Sequence, residues 1–317
     1  MPPTVAWPDE SVMSTYRTEA ATQETGAADA EPVPSRQFPP STVGRALQDA
    51  SIHLRTVSET PRVEAEILLM HVLDVLRSKL LTHPEKSLSS DQLARFEALV
   101  GERVTGYPLP HLTGRIEFYG LEIEVTPEVL IPRPETEMLV DLALARRPRS
   151  VIDVGTGSGC IAVALAKELP DVEVYAIDIS PAALAVGQRN AERHGVDDRV
   201  QFIISDLLDR RPSPVDLIVS NPPYVSADEW AALPPTIRHH EPRLALEGGS
   251  DGLDLIRRLL SQSQGLLEPG GALLIEIGAS QAEEAREIAK TVFPQQGAVV
   301  RIHPDLAGRD RVLEVVV

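Results

Sequence analysis

An apolar run, Leu217-Ile218-Val219, breaks off into Ser220-Asn221-Pro222-Pro223-Tyr224, an amide, two prolines and an aromatic ring in immediate succession. A short, uniformly apolar stretch fits the interior of a parallel sheet, where both faces of a strand are covered. Pro222 and Pro223 have no backbone donor, so the ladder has to stop there and the following peptides are held rigid at the strand's carboxyl end. Open α/β sheets bind their ligands at that end. The chain is therefore read as an α/β protein in which one buried strand delivers this turn to a site.

The turn has a definite chemistry. Asn221 offers a side-chain carbonyl and Pro222 a main-chain carbonyl beyond the ladder, so two fixed acceptors can face one NH2 group, while Tyr224 supplies a flat face for a planar amide or base. A planar NH2 is a poor nucleophile because its lone pair is delocalised. Acceptors on both of its hydrogens turn that lone pair toward an electrophile, and no strong base is needed when the proton leaves after the bond forms. A rigid strand-to-loop turn with Asn as a turn residue accounts for Asn-Pro-Pro equally well.

A second stretch has to decide between these readings. In Val151-Ile152-Asp153-Val154-Gly155-Thr156-Gly157-Ser158-Gly159-Cys160 an apolar strand enters a glycine turn, and a helix is expected over 161–169. Gly155, Thr156, Gly157, Ser158 and Gly159 would let the backbone approach a ligand, with the free N–H groups of the helix amino terminus beside it. The next strand, Val172 to Ile177, ends in Asp178, placed to accept both ribose hydroxyls; a cap on the helix starting at Ser180-Pro181 is the competing structural reading. Cys160 stands where a dinucleotide fingerprint has its third glycine, which points away from pyrophosphate and toward a nucleoside without phosphates.

Together the two stretches resemble S-adenosylmethionine-dependent methyltransferases that act on planar amide or base nitrogens. The resemblance narrows with Val129-Leu130-Ile131-Pro132-Arg133-Pro134-Glu135-Thr136-Glu137, Glu241-Pro242, Gly248 to Gly252, Pro269-Gly270-Gly271, Glu276-Ile277-Gly278 and Asp305 to Arg311. These occur in the order seen in release-factor glutamine methyltransferases, the PrmC/HemK family, and the match spans about residues 41 to 317. The resemblance implies S-adenosylmethionine as methyl donor, S-adenosylhomocysteine as product, and the glutamine of the Gly-Gly-Gln loop of peptide chain release factors as acceptor. It implies catalytic roles for Asn221, Pro222 and Tyr224, and an acceptor pocket of Asn221, Pro222, Pro223 and Tyr224. Arg133 and Glu137 would border the donor and glutamine pockets, although an ordinary ion pair between them is the structural alternative. Asp206 takes the family position near the adenine, a simple turn aspartate being the alternative, and Leu207 stands where some relatives carry an aromatic ring, which weighs against stacking on the adenine. No metal-ligand spacing is present.

Charge separates the remaining classes. With 47 acidic against 30 basic residues and a formal charge of −17, the chain lacks the excess of Lys and Arg that replaces phosphate counterions, so stable nucleic-acid binding is not expected. That counts against an enzyme methylating a flipped adenine, which would need the same acceptor geometry. A nonenzymatic nucleoside-binding adaptor is the other alternative, separated by a donor-induced melting shift together with transfer of labelled methyl. The single cysteine, Cys160, excludes an internal disulfide and suits a reducing, cytoplasmic compartment; no run is apolar enough to cross a membrane, and a monomer is expected.

Four regions are expected. Residues 1–40, poor in apolar side chains and without a secretion signal, form a disordered tail. Residues 41–112 form a helical domain, with helices over 62–76 and 91–104, the latter carrying Leu93, Phe96, Val100 and Val104 on one stripe; in the resembled family this part helps hold the protein substrate. Residues 113–127, with apolar positions around Gly120, form a β-hairpin linker. Residues 128–317 form a doubly wound methyltransferase domain with helices over 135–146, 161–169, 181–194, 252–267 and 281–292. Its later strands are expected over 200–204 and 272–277, closing in an antiparallel hairpin of 298–302 and 312–317.

Overall fold

The computed structural model describes residues 42–210, 214–294 and 297–317; the tail expected over 1–40 lies outside them. The first helices are α1 (Val43–Leu54), α2 (Pro61–Leu73), α3 (Arg77–Thr82), α4 (Ser90–Val104) and α5 (Leu109–Thr113). Their boundaries follow local chemistry. Pro61 opens α2, where a missing N–H is no loss, and Ser89 and Gln92 form a reciprocal capping box at the start of α4. Leu47, Leu54, Leu68, Leu69 and Phe96 close a core of their own. On the expected stripe of α4, Phe96 and Val100 are buried, whereas Val104 at the helix end is exposed.

Strands β1 (Arg115–Phe118) and β2 (Leu121–Glu124) pair antiparallel about Tyr119-Gly120. Both turn residues have positive φ, 53° and 71°, as a two-residue type I′ turn requires. The hairpin is clipped to the rest by the buried Asn190, whose Oδ1 accepts the Glu124 N–H and whose Nδ2 donates to the carbonyls of Glu124 and Ser158.

The large sheet contains β3 (Ser150–Val154), β4 (Glu173–Asp178), β5 (Val200–Ile204), β6 (Val215–Ser220), β7 (Leu267–Glu276), β8 (Val299–Pro304) and β9 (Asp310–Val316) in the order β5-β4-β3-β6-β7-β9-β8. The five strands from β5 to β7 run parallel, and β9 is antiparallel to both of its neighbours. Strand order reverses between β3 and β6, the kind of switch point where such sheets open a crevice. There the register sets Val154 beside Ser220, so the glycine turn and the Asn-Pro-Pro-Tyr turn leave adjacent strand ends. One face, through Val151, Leu217 and Leu274, packs under α6 (Glu137–Arg146), α7 (Cys160–Glu168) and α8 (Pro181–His194). The other, through Ile152, Ile218 and Leu273, packs under two further helices spanning Asp254–Ser263 and Ala282–Val292.

Three expectations need correction. The helix expected over 252–267 is confined to Asp254–Ser263, because Gly265 turns at φ 72° and Leu267 already pairs with Val215. For the same reason β7 begins at Leu267 rather than Ala272, carrying Pro269-Gly270-Gly271 as an irregularity between the Val215–Leu267 and Leu217–Ala272 pairs. Between the Asn-Pro-Pro-Tyr turn and Gly248 the sequence suggested no elements, yet the chain forms α9 (Ala227–Ala232) and α10 (Pro235–His240), so that Asp254–Ser263 becomes α11 and Ala282–Val292 α12.

Candidate active site

Strand β6 ends with Ser220, whose hydroxyl donates to the Val154 carbonyl at 2.7 Å and locks the two strand ends together. The next residue, Asn221, donates from Nδ2 to Thr136 Oγ1 at 3.0 Å; Thr136 in turn donates to Glu276 Oε2 at 2.8 Å, and Glu276 Oε1 accepts the Tyr224 hydroxyl at 3.2 Å. Glu276, the last residue of β7, is only 1% exposed and Thr136 2%. Burial pushes the Glu276 carboxyl above its ordinary value, opposed by the Thr136 and Tyr224 hydroxyls and by the charge of Arg311. The Tyr224 phenol is pushed up as well, by burial first and by the Glu276 charge second. Neither Asn221 Oδ1 nor the Pro222 carbonyl accepts a hydrogen bond from the described residues.

The turn is also held by its main chain. Gln281 Nε2 donates to the carbonyls of Tyr224 (2.9 Å) and Asp251 (3.3 Å), while its Oε1 accepts the Gly278 N–H at 2.9 Å. Val225 exchanges hydrogen bonds with Leu246 and Gly248. Gly252, at φ 78°, lies so close to the turn that a Cβ there would stand 2.2 Å from the Tyr224 carbonyl oxygen. The loop can press against the turn only because Gly248 and Gly252 lack side chains.

On the neighbouring strand the glycine turn folds back onto β4. The N–H groups of Gly155 and Thr156 both donate to the Ile177 carbonyl. Asp178 Oδ2 accepts from Gly157 N–H and Oδ1 from Ser180 N–H, each at 2.9 Å. The amino terminus of α8 is capped by the Ser180 hydroxyl, which accepts the Ala183 N–H, so Asp178 is not the cap of that helix. Burial raises the Asp178 carboxyl above its ordinary value. Gly159 caps α7 at φ 77°, its α-carbon close enough to Gly187 that a Cβ would meet the Gly187 Cα at 3.0 Å.

Three residues that sequence reasoning did not single out belong to this centre. Asp153, fully buried within β3, accepts the Thr156 hydroxyl on Oδ2 at 2.6 Å, and its Oδ1 is buried without a partner among the described residues. Burial pushes its carboxyl up to about 7, with the nearby Asp178 charge adding to the effect. The available signal was an acidic residue inside an otherwise apolar strand. The same signal, a carboxylate closing the apolar run Ala272 to Ile275, marks Glu276. Thr136 carries no such mark.

The remaining expected residues are dispersed around this centre. Arg133 and Glu137 do not pair with each other: Arg133 binds Glu241 Oε1 at 2.6 Å, Glu241 Oε2 accepts the Ile131 N–H, and Glu137 accepts the Tyr119 N–H. The buried Glu241 thus fastens the Ile131-Pro132-Arg133-Pro134 segment from a distance of about a hundred residues in sequence. Asp206 is half-buried and paired with Arg258 at 2.8 Å; Leu207, at φ 48°, packs partly buried against the sheet core.

A twisted, mainly parallel sheet with a glycine turn and an Asn-Pro-Pro-Tyr turn at adjoining strand ends defines a methyltransferase, and residues 134–248 match the family model described as methyltransferase small domain. Residues 45–114 match the PrmC N-terminal domain. The chain belongs to the release factor glutamine methyltransferase family. It is 45% identical over 276 residues to the release factor glutamine methyltransferase of Moorella thermoacetica, covering 85% of this chain and 96% of that one. It is 47% identical over 231 residues to that of Geobacter sulfurreducens, covering 71% and 80%. Among solved structures, the hMettl16 catalytic domain in complex with the MAT2A 3'UTR hairpin 6 shares the fold, with a TM-score of 0.52 at 16% identity over 71% of this chain and 81% of that one. No helix among the described residues is long and apolar enough to cross a membrane.

Proposed function

We propose that this protein transfers a methyl group from S-adenosylmethionine to the side-chain amide nitrogen of the glutamine in the Gly-Gly-Gln motif of peptide chain release factors. The observation that carries the proposal is the pair of unengaged acceptors, Asn221 Oδ1 and the Pro222 carbonyl, on a turn held on either side by the Asn221 amide, the Tyr224 hydroxyl and the Tyr224 carbonyl. Two acceptors on one turn suit a group with two N–H bonds, and a primary amide has them.

The donor site fits the proposed donor. The unpartnered buried Oδ1 of Asp153 suits the cationic end of the molecule, Asp178 has lone pairs left for the ribose diol, and Gly155 to Gly159 allow close backbone approach. Asp206 and Leu207 would lie toward the adenine. When bound, the donor supplies an activated methyl on a sulfonium that leaves as the neutral thioether of S-adenosylhomocysteine. The protein's own task is then positional. Asn221 and Pro222 accept the two amide hydrogens, Pro223 keeps the turn rigid, and the Tyr224 ring packs against the amide plane. With the nitrogen lone pair thus aimed along the sulfur–methyl axis, displacement needs no covalent enzyme intermediate and no strong base. Arg133 and Glu137 would border the acceptor pocket.

The helices between Val43 and Thr113 would grip the body of the factor, supplying affinity away from the reacting atoms. The protein would act as a cytoplasmic monomer without stable nucleic-acid binding. The test is methylation of intact release factor with labelled donor, followed by mass spectrometry of the Gly-Gly-Gln peptide. One added methyl on the glutamine is expected; label on nucleic acid, or on no glutamine, would refute the reading.

A further inference from the structure

An asparagine side chain is nearly the same shape either way up. Turned over at position 221 it would present its NH2 to the acceptor's NH2, two donors facing each other, and the site would repel what it has to hold. Something must decide which end points where.

The hydrogen bonds behind Asn221 make that decision. The Thr136 hydroxyl has a single proton, and at 2.8 Å from Glu276 Oε2 it spends that proton on the carboxylate. Toward Asn221, 3.0 Å away, it is left only as an acceptor, so it takes an N–H and leaves Oδ1 facing the other way. The direction of the chain originates at Glu276, because an ionised carboxylate accepts and cannot donate. The same carboxylate takes the Tyr224 hydroxyl on its other oxygen, so both functional side chains of the turn are referred to one buried group. Thr136 and Glu276 are both buried, conditions under which a directional network is stiff and a broken one is costly.

We propose that Glu276 and Thr136 are positioning residues: the Glu276 carboxylate fixes the polarity of the Thr136 hydroxyl, which in turn holds Asn221 with its carbonyl oxygen toward the acceptor amide. The inference rests on the reading of Asn221 as an acceptor for the glutamine. It has a consequence in pH. A proton on Glu276 would turn the carboxylate into a donor, allow the hydroxyl to reverse, and release Asn221 to flip. Burial and Glu135 favour that proton, while Thr136, Tyr224 and Arg311 oppose it. Turnover should therefore fall on the acid side as Glu276 is protonated.

The test is a set of four full-length variants, Thr136→Val, Thr136→Ser, Glu276→Gln and Asn221→Ala, measured in single turnover on intact release factor at saturating donor, with donor affinity by calorimetry. Thr136→Val keeps the shape and removes the relay; Glu276→Gln offers Thr136 a donor as a protonated carboxyl would. Each should slow transfer about tenfold or more while the donor dissociation constant stays within about twofold. Thr136→Ser, which restores the hydroxyl, should return the rate to within about threefold of wild type, and the acid-side fall in rate should be present in wild type and Thr136→Ser but absent from Glu276→Gln. Rates near wild type for Thr136→Val and Glu276→Gln beside a slow Asn221→Ala would overturn the relay and leave the role of Asn221 standing. A slow Thr136→Val that Thr136→Ser does not rescue would reduce Thr136 to packing and overturn it too. A fast Asn221→Ala would remove the reading of Asn221 and the relay with it. Should Glu276→Gln fail to fold, a wild-type rate without an acid-side fall overturns the proposal by itself.

Discussion

Asn221 and Asp178 are both engaged by the protein before any ligand arrives, and the two engagements have different consequences. Asn221 spends only its NH2 end, so on the proposed reading its Oδ1 is the contact that truncation removes; Asn221→Ala should lower turnover roughly 10²-fold or more with little change in donor affinity. Asp178 ties Gly157 to Ser180, and with the proposed ribose contact Asp178→Ala should weaken donor binding by about 1–3 kcal/mol in calorimetry, with the glycine turn loosened besides. Asp153 gives a prediction in pH. Its carboxyl rises on folding from 3.8 to about 7, so between those values the folded state binds more proton than the unfolded one, and stability falls as pH rises through that window. Asp153→Asn should remove this dependence from denaturation curves. With the proposed contact to the donor's cationic end the preference reverses: affinity for S-adenosylmethionine should improve as pH rises through about 7 in the wild type and stay level in Asp153→Asn.

Among the elements, the loop from Gly248 to Gly252 is the one whose fit is least forgiving. Gly252→Ala has to place a methyl where the Tyr224 carbonyl stands and strain a left-handed backbone, so a loss of about 1–3 kcal/mol in thermal or urea unfolding is expected, with turnover falling further than donor affinity as the turn shifts. The short central strands β3 and β6 were legible because each is a largely apolar run buried on both faces, and α8 was legible at both ends because Pro181 opens it and Gly195, at φ 63°, closes it. β7 was not, since Pro269-Gly270-Gly271 reads as a break and survives in the strand only because β6 accommodates the irregularity opposite. α9 and α10 were invisible for another reason: neither buries a residue, so neither carries a periodic apolar face. The site divided along the same line. Asn221 and Tyr224 announce themselves in one contiguous motif. Thr136 and Glu276 lie 140 positions apart and meet through a side-chain hydrogen bond that no local pattern marks, and Arg133 finds Glu241, rather than Glu137, across 108 positions.

For the whole molecule, the bundle core around Leu68 and Phe96 is separate from the two cores that sandwich the sheet. Removing residues 41–112 should therefore impair methylation of intact release factor while donor binding by the remaining sheet domain persists; full activity of the truncated protein on intact factor would exclude docking by the bundle. With a formal charge of −17, added nucleic acid should neither accept methyl nor compete with the factor at moderate salt. The Asn-Pro-Pro-Tyr turn bears on what the factor must bring to the encounter. Ser220 is fixed to Val154, Asn221 to Thr136, Tyr224 to Glu276 and Gln281, and Val225 to Leu246 and Gly248, leaving the turn almost no freedom to surrender on binding. The ordering entropy of the complex then falls almost wholly on the incoming loop, and a loop with two glycines ahead of its glutamine has the most to lose. The expected consequence is that a glutamine presented on a stiff, tethered loop is methylated faster than the same residue on a free peptide, which single-turnover rates on intact factor and on an excised Gly-Gly-Gln peptide would check.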